Sequence, residues 1–246
     1  MANKHSSKKM GKWRRLHRLL GTLVSIQLLL WILTGLYFNL VPYEHLKGTS
    51  FFNKQVNQVS FAPTPDIATT SQVLALYPET EHIQLISLNG VTYFLLDHKI
   101  TRYKHQCQNQ TLLNTRSLKH TTITKQMAKK IALESYTGPG DVMQVTKINA
   151  GESEWTKECN DLWRIDFSDN QKTRAYLHAQ SGYVIGHKNQ YTQVSDWMFK
   201  LHFMDYQNKG GFNNIFIWIF AALALMLTLT GITNLYQNYR NKRYQQ

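Results

Sequence analysis

Two stretches without a charged side chain, Leu19–Tyr43 and Gly210–Tyr239, lie towards the two ends of the chain. Each exceeds the roughly 20 apolar residues that a helix needs to cross the hydrocarbon core of a bilayer. The residues between them are polar, so the mean hydropathy of the whole chain is only −0.38. We therefore predict a membrane protein in which two transmembrane helices bracket a folded domain.

The net charge of +13 is concentrated just outside these two stretches. Residues 1–18 contain seven Lys or Arg and residues 240–246 contain three, with no acid in either segment. Residues 42–211 contain 18 basic and 15 acidic side chains, a net charge of only +3. Basic flanks favour the cytoplasmic side of a membrane, so we predict both tails in the cytoplasm and the middle outside it. Because the folded part lacks a basic excess, we expect no binding to nucleic acid.

The first apolar stretch has a second interpretation, a cleaved signal peptide. Signal peptides have an apolar core of about 7–15 residues that ends in small residues at the cleavage site. Here the apolar run is longer, and Leu36–Pro42 contains no Ala-x-Ala-like sequence. A retained anchor is therefore the favoured interpretation.

The middle of the chain predicts helices and antiparallel strands. Residues 44–65, with two prolines, are predicted to be a linker, and a helix followed by strands then occurs twice, in residues 66–115 and 121–190. In the first repeat the predictions are a helix at Thr70–Tyr77 and strands at Ile83–Leu88, Val91–Leu96 and Ile100–His105, with a tight hairpin turn at Asn89-Gly90. In the second they are a helix from the N-cap Thr124 to Tyr136 and strands at Val142–Ile148, Trp163–Phe167, Thr173–Leu177 and Tyr183–Ile185. We interpret the two halves as a weak internal duplication.

Cys107 and Cys159 both fall in this middle region. An oxidising compartment would permit a disulfide between them, and closing that loop would stabilise the fold by about 4 kcal/mol. Two unpaired thiols are the alternative. The spacing matches neither a Cys-x-x-Cys redox motif nor a zinc site, so we do not expect catalytic thiols.

An acidic cluster surrounds Trp155. Its members are Glu152, Glu154, Glu158 and Asp161. Such a cluster can bind a cation or a basic peptide, but a solvated loop is the favoured interpretation.

Three segments together carry a family pattern. They are the basic Leu-His-x-x-x-Gly opening of the first span from Trp13 to Gly21, the strand–turn–strand at Trp163–Ile185, and Leu201-His202-Phe203 followed by Gly210-Gly211 and Leu229-Thr230-Gly231. Together they resemble the PepSY-associated transmembrane family of bacterial inner-membrane proteins. The chain departs from that family in two ways. It has no acidic residue in His178-Ala179-Gln180-Ser181-Gly182, where one usually precedes the turn, and it has two spans where larger relatives have four or more.

The resemblance implies a membrane protein of the α+β class, in which two transmembrane helices bracket a periplasmic PepSY-like domain of helices and antiparallel strands. The implied division is a cytoplasmic tail at 1–15, a transmembrane helix at 16–41, a periplasmic region at 42–211, a second transmembrane helix at 212–237 and a cytoplasmic tail at 238–246.

Some larger relatives look like haem-bearing reductases of ferric siderophores, so the resemblance makes the histidines near the spans candidate ligands of b-type haem. An axial ligand must be a neutral imidazole beside room for a flat porphyrin. His17 lies four residues before Gly21 on one helix face, where a glycine leaves space for a porphyrin edge or equally permits close helix packing. His202 and His45 are the candidates at the outer side. The alternative for all three is an ordinary packing or interfacial role.

Helix geometry limits how these histidines can combine. Residues 17 and 43 are separated by about 39 Å along a helix, so His17 and His202 cannot share one iron. The second span contains no histidine, so the second ligand of an inner haem must come from elsewhere. His17 of another copy is the simplest source, which predicts a homodimer, and a different membrane subunit is the alternative. An outer haem would be held by His202 together with His45.

The functional hypothesis is transmembrane electron transfer through b-type haem to a periplasmic acceptor such as a ferric chelate. The chain would then be a haem-dependent ferric reductase or a subunit of one. The sequence contains no Gly-x-Gly-x-x-Gly, P-loop, Gly-x-Ser-x-Gly or His-Glu-x-x-His motif. The alternative is a non-catalytic membrane adaptor or regulator that binds a periplasmic protein partner.

The sequence also predicts the surroundings of four polar residues inside the spans. Thr34 and Thr230 are expected to hydrogen-bond back to their own helices. Gln27 and Asn39 are expected to face protein rather than lipid.

Overall fold

The computed structural model describes residues 3–53, 68–103, 105–152, 154–155, 157–207 and 213–243, and it describes side chains between residues 13 and 240 of these ranges. The chain divides into two compact units. The unit formed by residues 1–40 and 196–246 is called the membrane unit here, and residues 41–195 are called the body.

The secondary-structure elements are given in chain order. They are α1 (Asn3–Leu40), α2 (Tyr43–Lys47), α3 (Thr70–Leu76), β1 (His82–Leu88), β2 (Val91–Asp97), β3 (Gln110–Asn114), β4 (His120–Thr121), α4 (Lys125–Ser135), β5 (Val142–Ile148), β6 (Leu162–Phe167), β7 (Arg174–His178), β8 (Val184–Lys188), α5 (Gln190–His202) and α6 (Ile215–Arg243).

The membrane unit is built on α1 and α6, which pack against each other. Both helices are long and apolar enough to cross a membrane, over Trp13–Leu40 and Ile215–Arg240. α1 ends at Leu40 because Pro42 has no amide hydrogen and disfavours helical geometry at the residue before it. The two predicted apolar stretches are therefore helical over 19–40 and 215–239.

The body contains two four-stranded antiparallel sheets. Their strand orders are β1-β2-β3-β4 and β5-β6-β7-β8, and each sheet follows one helix, α3 or α4. The two halves of the body thus share one topology. The internal duplication of the sequence and the exact domain boundaries stay predictions.

Alternating side chains of β2 serve two separate cores. Tyr93 and Leu95 contribute to the main core, which also contains residues of α4 and of the second sheet. Phe94 and Leu96 pack with Val73 of α3 on the opposite face of the first sheet. Because a strand alternates its side chains between faces, β2 is buried on both sides.

Local sequence patterns predicted several turns and helix ends correctly. Asn89 and Gly90 both have positive φ, 53° and 76°, as the tight turn between β1 and β2 requires. Thr124 accepts a hydrogen bond from the amide of Met127 and caps α4. The predicted helix at Thr70–Tyr77 is α3, which ends one residue earlier.

The predicted third strand at Ile100–His105 was wrong. The third strand is β3, and the described residues of the predicted range lie in the loop before it. Ile100 is 65% exposed, whereas Leu112 and Leu113 of β3 are fully buried on opposite faces of the sheet. Pairing with β2 and burial of these two leucines therefore decide which segment becomes the strand.

The predicted linker was partly wrong. Its start folds as α2, and Phe51 and Phe52 pack against the main core. Residues 54–65 of that prediction, and the Gly210-Gly211 pair near the second span, lie outside the described residues.

Cys107 and Cys159 form a disulfide, with their Cα atoms 4.8 Å apart. This finding decides between the alternatives that the sequence left open. The bond joins the loop before β3 to the loop before β6, so it links the two halves of the body. The adjacent amide of Cys159 donates to the carbonyl of His105.

Candidate functional site

His17 on α1 is paired with Thr230 on α6. Its Nδ1 lies 2.9 Å from the hydroxyl oxygen of Thr230. That hydroxyl donates its single hydrogen to the backbone carbonyl of Leu227, at 2.9 Å. With its hydrogen on that carbonyl, the oxygen of Thr230 accepts from Nδ1–H of His17. No described residue hydrogen-bonds to Nε2 of His17.

His202, the last residue of α5, forms the second pair with Thr34 of α1. Its Nδ1 lies 2.8 Å from the hydroxyl oxygen of Thr34. That hydroxyl donates to the carbonyl of Leu30 at 2.6 Å, so it too accepts from the histidine. The expected back-bonding of both threonines to their own helices is confirmed. The histidines that use the same two oxygens were not predicted.

A glycine follows each of these threonines. A Cβ atom built on Gly231 would lie 3.3 Å from Cε1 of His17, and one built on Gly35 would lie 4.0 Å from Cε1 of His202. The glycine at 231 therefore leaves the room that the imidazole occupies. Gly21, by contrast, faces Leu227 at 3.8 Å, which favours its close-packing role over a porphyrin edge.

Aromatic rings surround the imidazole of His202. The ring centroids of Trp31, Phe38 and Phe203 lie 6.3, 5.7 and 5.0 Å from it. Gln27, as expected, contacts protein, since its amide donates to the carbonyl of Leu201 at 3.4 Å. These contacts hold the end of α5 against α1.

The expectation for Asn39 was wrong. Its side chain is exposed, and its amide donates back to the carbonyl of Gly35 on the same helix at 2.9 Å. Back-bonding satisfies the amide without a protein neighbour.

The two histidine–threonine pairs are separate sites. His17 and Thr34 lie on the same helix, 17 residues apart, which corresponds to about 26 Å along its axis. One ion cannot contact both imidazoles. His45, the third predicted ligand, belongs to the body, where its ring stacks on Tyr191 with centroids 4.6 Å apart. Its partnership with His202 stays a prediction.

Each pair fits an axial haem ligand. A ligating imidazole is neutral, and a hydrogen bond from its other nitrogen usually fixes its tautomer. For His17 and His202 a threonine oxygen lies at Nδ1 for such a hydrogen bond. Each pair supplies one ligand only, and within the described residues no group of three or more His, Cys, Asp or Glu could hold a metal ion.

In the body, the acidic cluster around Trp155 is divided among ion pairs. Glu154 bonds to Arg174 at 3.0 Å and Asp161 to Lys147 at 3.3 Å. Glu158 is buried, with an oxygen 3.2 Å from Nε2 of buried His178. Glu158 is therefore not part of a solvated loop, whereas Glu154 and Asp161 are partly exposed and pair with basic side chains.

A second buried histidine of the body is His187. Its Nε2 lies 2.9 Å from the hydroxyl of Ser135, which itself donates to the carbonyl of Ala132. Its Nδ1 is buried and has no hydrogen-bond partner among the described residues. Burial lowers the pKa of His187 to about 4, so the ring is neutral near pH 7.

A tyrosine next to this histidine closes the turn after α4. Tyr136 donates its hydroxyl to a carboxylate oxygen of Asp169 and accepts from the amide of Gly140. Burial is the main cause that raises the pKa of Tyr136 to about 12. The neutral hydroxyl therefore acts as a structural bridge rather than as a proton carrier.

Comparison with known proteins gives one match. A family model described as the PepSY-associated TM region matches residues 1–233, which include both histidine–threonine pairs. Searches of curated proteins and of solved structures found no match. Because the family model covers nearly the whole chain, this membrane protein belongs to the PepSY-associated transmembrane family.

Proposed function

We propose that the chain passes electrons across a bacterial inner membrane through b-type haem to a periplasmic acceptor such as a ferric chelate. In this proposal the basic tails lie in the cytoplasm and the body lies in the periplasm, as the positive charges outside both spans favour. His17 then lies near the cytoplasmic side, and His202 near the periplasmic side.

The observation that carries this proposal is the pair of imidazoles whose Nδ1 is engaged by a threonine. Each leaves Nε2 for a metal, and the two sites are about 26 Å apart along the same helix. Two haem sites at different depths of the membrane would let an electron cross the apolar layer in two shorter steps.

In this proposal the chain's own residues would hold and orient the haem. His17 and His202 would hold the haem iron. The packing of α1 against α6 would fix the position of His17, and the contacts of the end of α5 with α1 would fix that of His202. When bound, haem supplies one-electron chemistry between ferric and ferrous iron. A reduced carrier such as a dihydroflavin would be the cytoplasmic donor, and each electron would reduce one ferric ion of the acceptor to the ferrous state.

A homodimer would complete the ligand sets. Among its described side chains, the membrane unit offers one imidazole at each level, whereas bis-histidine haem needs two. His17 of a second copy would supply the other inner ligand across a two-fold axis. His45 would be the second ligand at the outer level.

The test is the reduced-minus-oxidised absorption spectrum of the full chain, purified in detergent from haem-replete cells. We expect a Soret band and an α-band that disappear in the double variant His17→Ala/His202→Ala. Addition of a ferric chelate to the dithionite-reduced protein, after removal of excess dithionite, should reoxidise the α-band. His120→Ala, which alters an exposed histidine of the body, is the matched control and should keep both bands. A colourless wild-type protein would refute the proposal.

A cavity in the body favours a second function, that of a non-catalytic adaptor. It has a volume of about 440 Å³ and lies between β3–β4 and β5–β6, with Trp163 and the Lys147–Asp161 ion pair in its lining. Gln110 also lines it, and the side-chain oxygen of Gln110 is buried without a partner among the described residues. A side chain of a periplasmic protein would fill this cavity.

A photo-crosslinking amino acid placed at position 120, on the rim of the cavity, tests the adaptor function. A discrete cross-linked protein that is lost in Gln110→Ala, together with a colourless purified chain, would favour the adaptor. Absence of any cross-link from this position, together with a haem spectrum, would contradict it.

A further inference from the structure

We propose that Thr34 and Thr230 are positioning residues that hold His202 and His17 in the tautomer with hydrogen on Nδ1. This inference rests on the proposed function, because its purpose is to leave Nε2 free for haem iron. It assigns a role to two threonines that would otherwise be ordinary polar residues of a span.

The hydrogen-bond geometry fixes the direction of each bond. The 2.6 Å distance from the Thr34 hydroxyl to the carbonyl of Leu30 is short for a hydroxyl donor, so the hydroxyl hydrogen lies on that bond. Thr34 has no second hydrogen to give to His202. Thr230 repeats the arrangement, with its hydroxyl oxygen 2.9 Å from the carbonyl of Leu227 and 2.9 Å from Nδ1 of His17. In this arrangement both imidazoles donate from Nδ1.

The environment strengthens this preference. A polar hydrogen inside the apolar layer is costly without an acceptor, so the tautomer that places hydrogen on Nδ1 is favoured next to a threonine oxygen. Other threonines of the spans show that the arrangement is not general. Thr22, Thr228 and Thr233 bond only to carbonyls of their own helices, and of these Thr22 and Thr228 are exposed.

The two sites have the same composition, but α1 supplies the threonine in one and the histidine in the other. Leu33-Thr34-Gly35 of α1 receives the histidine of Leu201-His202, and Leu229-Thr230-Gly231 of α6 receives that of Leu16-His17. In each case the threonine supplies the acceptor and the following glycine lies beside the imidazole. Because both sites combine a threonine acceptor with a glycine beside the imidazole, we infer that the two threonines have the same role.

The first experiment replaces each threonine with valine, which keeps the shape and removes the acceptor. We expect Thr230→Val to weaken haem binding at the inner site by about 10- to 100-fold, and Thr34→Val to do the same at the outer site. Serine variants at both positions should restore binding, because serine keeps the hydroxyl. Thr228→Val and Thr22→Val are the matched controls and should leave haem affinity unchanged.

The second experiment reads the tautomer without haem. Nitrogen NMR of the haem-free full chain in detergent, labelled with ¹⁵N-histidine, should show His17 and His202 with hydrogen on Nδ1. Thr230→Val should change the spectrum of His17 alone, and Thr34→Val that of His202 alone. Hydrogen on Nε2 in the wild type, or valine variants with unchanged spectra, would overturn the inference.

The two experiments separate this inference from the proposed function. A wild-type chain that binds no haem but shows the Nδ1–H tautomer would refute the haem proposal and keep the positioning role of the threonines. A haem-binding chain whose valine variants bind haem as tightly as the wild type would refute the positioning role alone.

Discussion

The histidines of the membrane unit and the buried histidines of the body are partnered through opposite ring nitrogens. His17 and His202 use Nδ1 to contact a threonine on another helix. His178 and His187 use Nε2, one towards a carboxylate and the other towards a serine hydroxyl. The comparison shows that the two groups of histidines differ in which ring nitrogen contacts a neighbouring side chain.

The largest expected difference between the two groups is in haem content. His17→Ala and His202→Ala should each abolish one haem, because no other described imidazole of the membrane unit replaces the missing ligand. His178→Gln and His187→Gln should leave haem content unchanged and lower the thermal midpoint of unfolding. Haem content per chain and circular dichroism of all four variants check this. Equal haem loss in the membrane-unit variants and the body variants would contradict the assignment of His17 and His202 as haem ligands.

The disulfide of the body should affect stability and not haem. Its two cysteines are 52 residues apart, so the double variant Cys107→Ser/Cys159→Ser should lower the free energy of unfolding by about 4 kcal/mol. Urea titration of the full chain in detergent, followed by near-ultraviolet circular dichroism, measures the change. The haem spectrum of the same sample is the control, and a lost α-band would link the body to the haem sites.

The pKa of His187 predicts a pH dependence for the body. Its pKa falls from 6.5 when unfolded to about 4 when folded, so only the unfolded chain takes up a proton between these values. The stability is therefore complete above about pH 6.5 and decreases by about 3 kcal/mol as the pH falls to 4. Urea titrations at several pH values should show this slope, and His187→Gln should reduce it. If the unfolding free energy of His187→Gln depends on pH as in the wild type, other groups cause the pH dependence.

The smallest of the expected effects concerns the buried pair of Glu158 and His178. Glu158→Gln keeps the size of the side chain and loses the charge-assisted hydrogen bond, which should cost about 2 kcal/mol of unfolding free energy. Glu152→Gln, at an exposed position of the same loop, is the control and should have little effect. If both variants destabilise the chain equally, the contact between Glu158 and Nε2 of His178 does not contribute to stability.

Local features of the sequence predicted much of the fold. The spans follow from uninterrupted apolar runs, and the hairpin turn follows from Asn89-Gly90, whose positive φ values few other residues adopt. The third strand was missed because Gln110–Asn114 is short and largely polar at its ends. Only its pairing with β2 and the burial of two leucines select it.

The candidate sites could be predicted only in part. The resemblance pointed to His17 and His202, but the partners of these residues lie 213 and 168 positions away in the chain. No periodicity relates residues at such a separation, because tertiary packing brings them together. The repeated Leu-Thr-Gly tripeptide was the available signal, and its meaning depends on which helix faces it.

The decisive measurement is the haem-to-chain ratio of His202→Ala, which retains the inner site alone. The proposed homodimer predicts one low-spin, six-coordinate haem for every two chains, seen by absorption, electron paramagnetic resonance and quantitative protein analysis of the purified dimer. A monomer that carries its own bis-histidine haem, or a purified chain without haem, would contradict the assignment of His17 as a ligand shared between two copies.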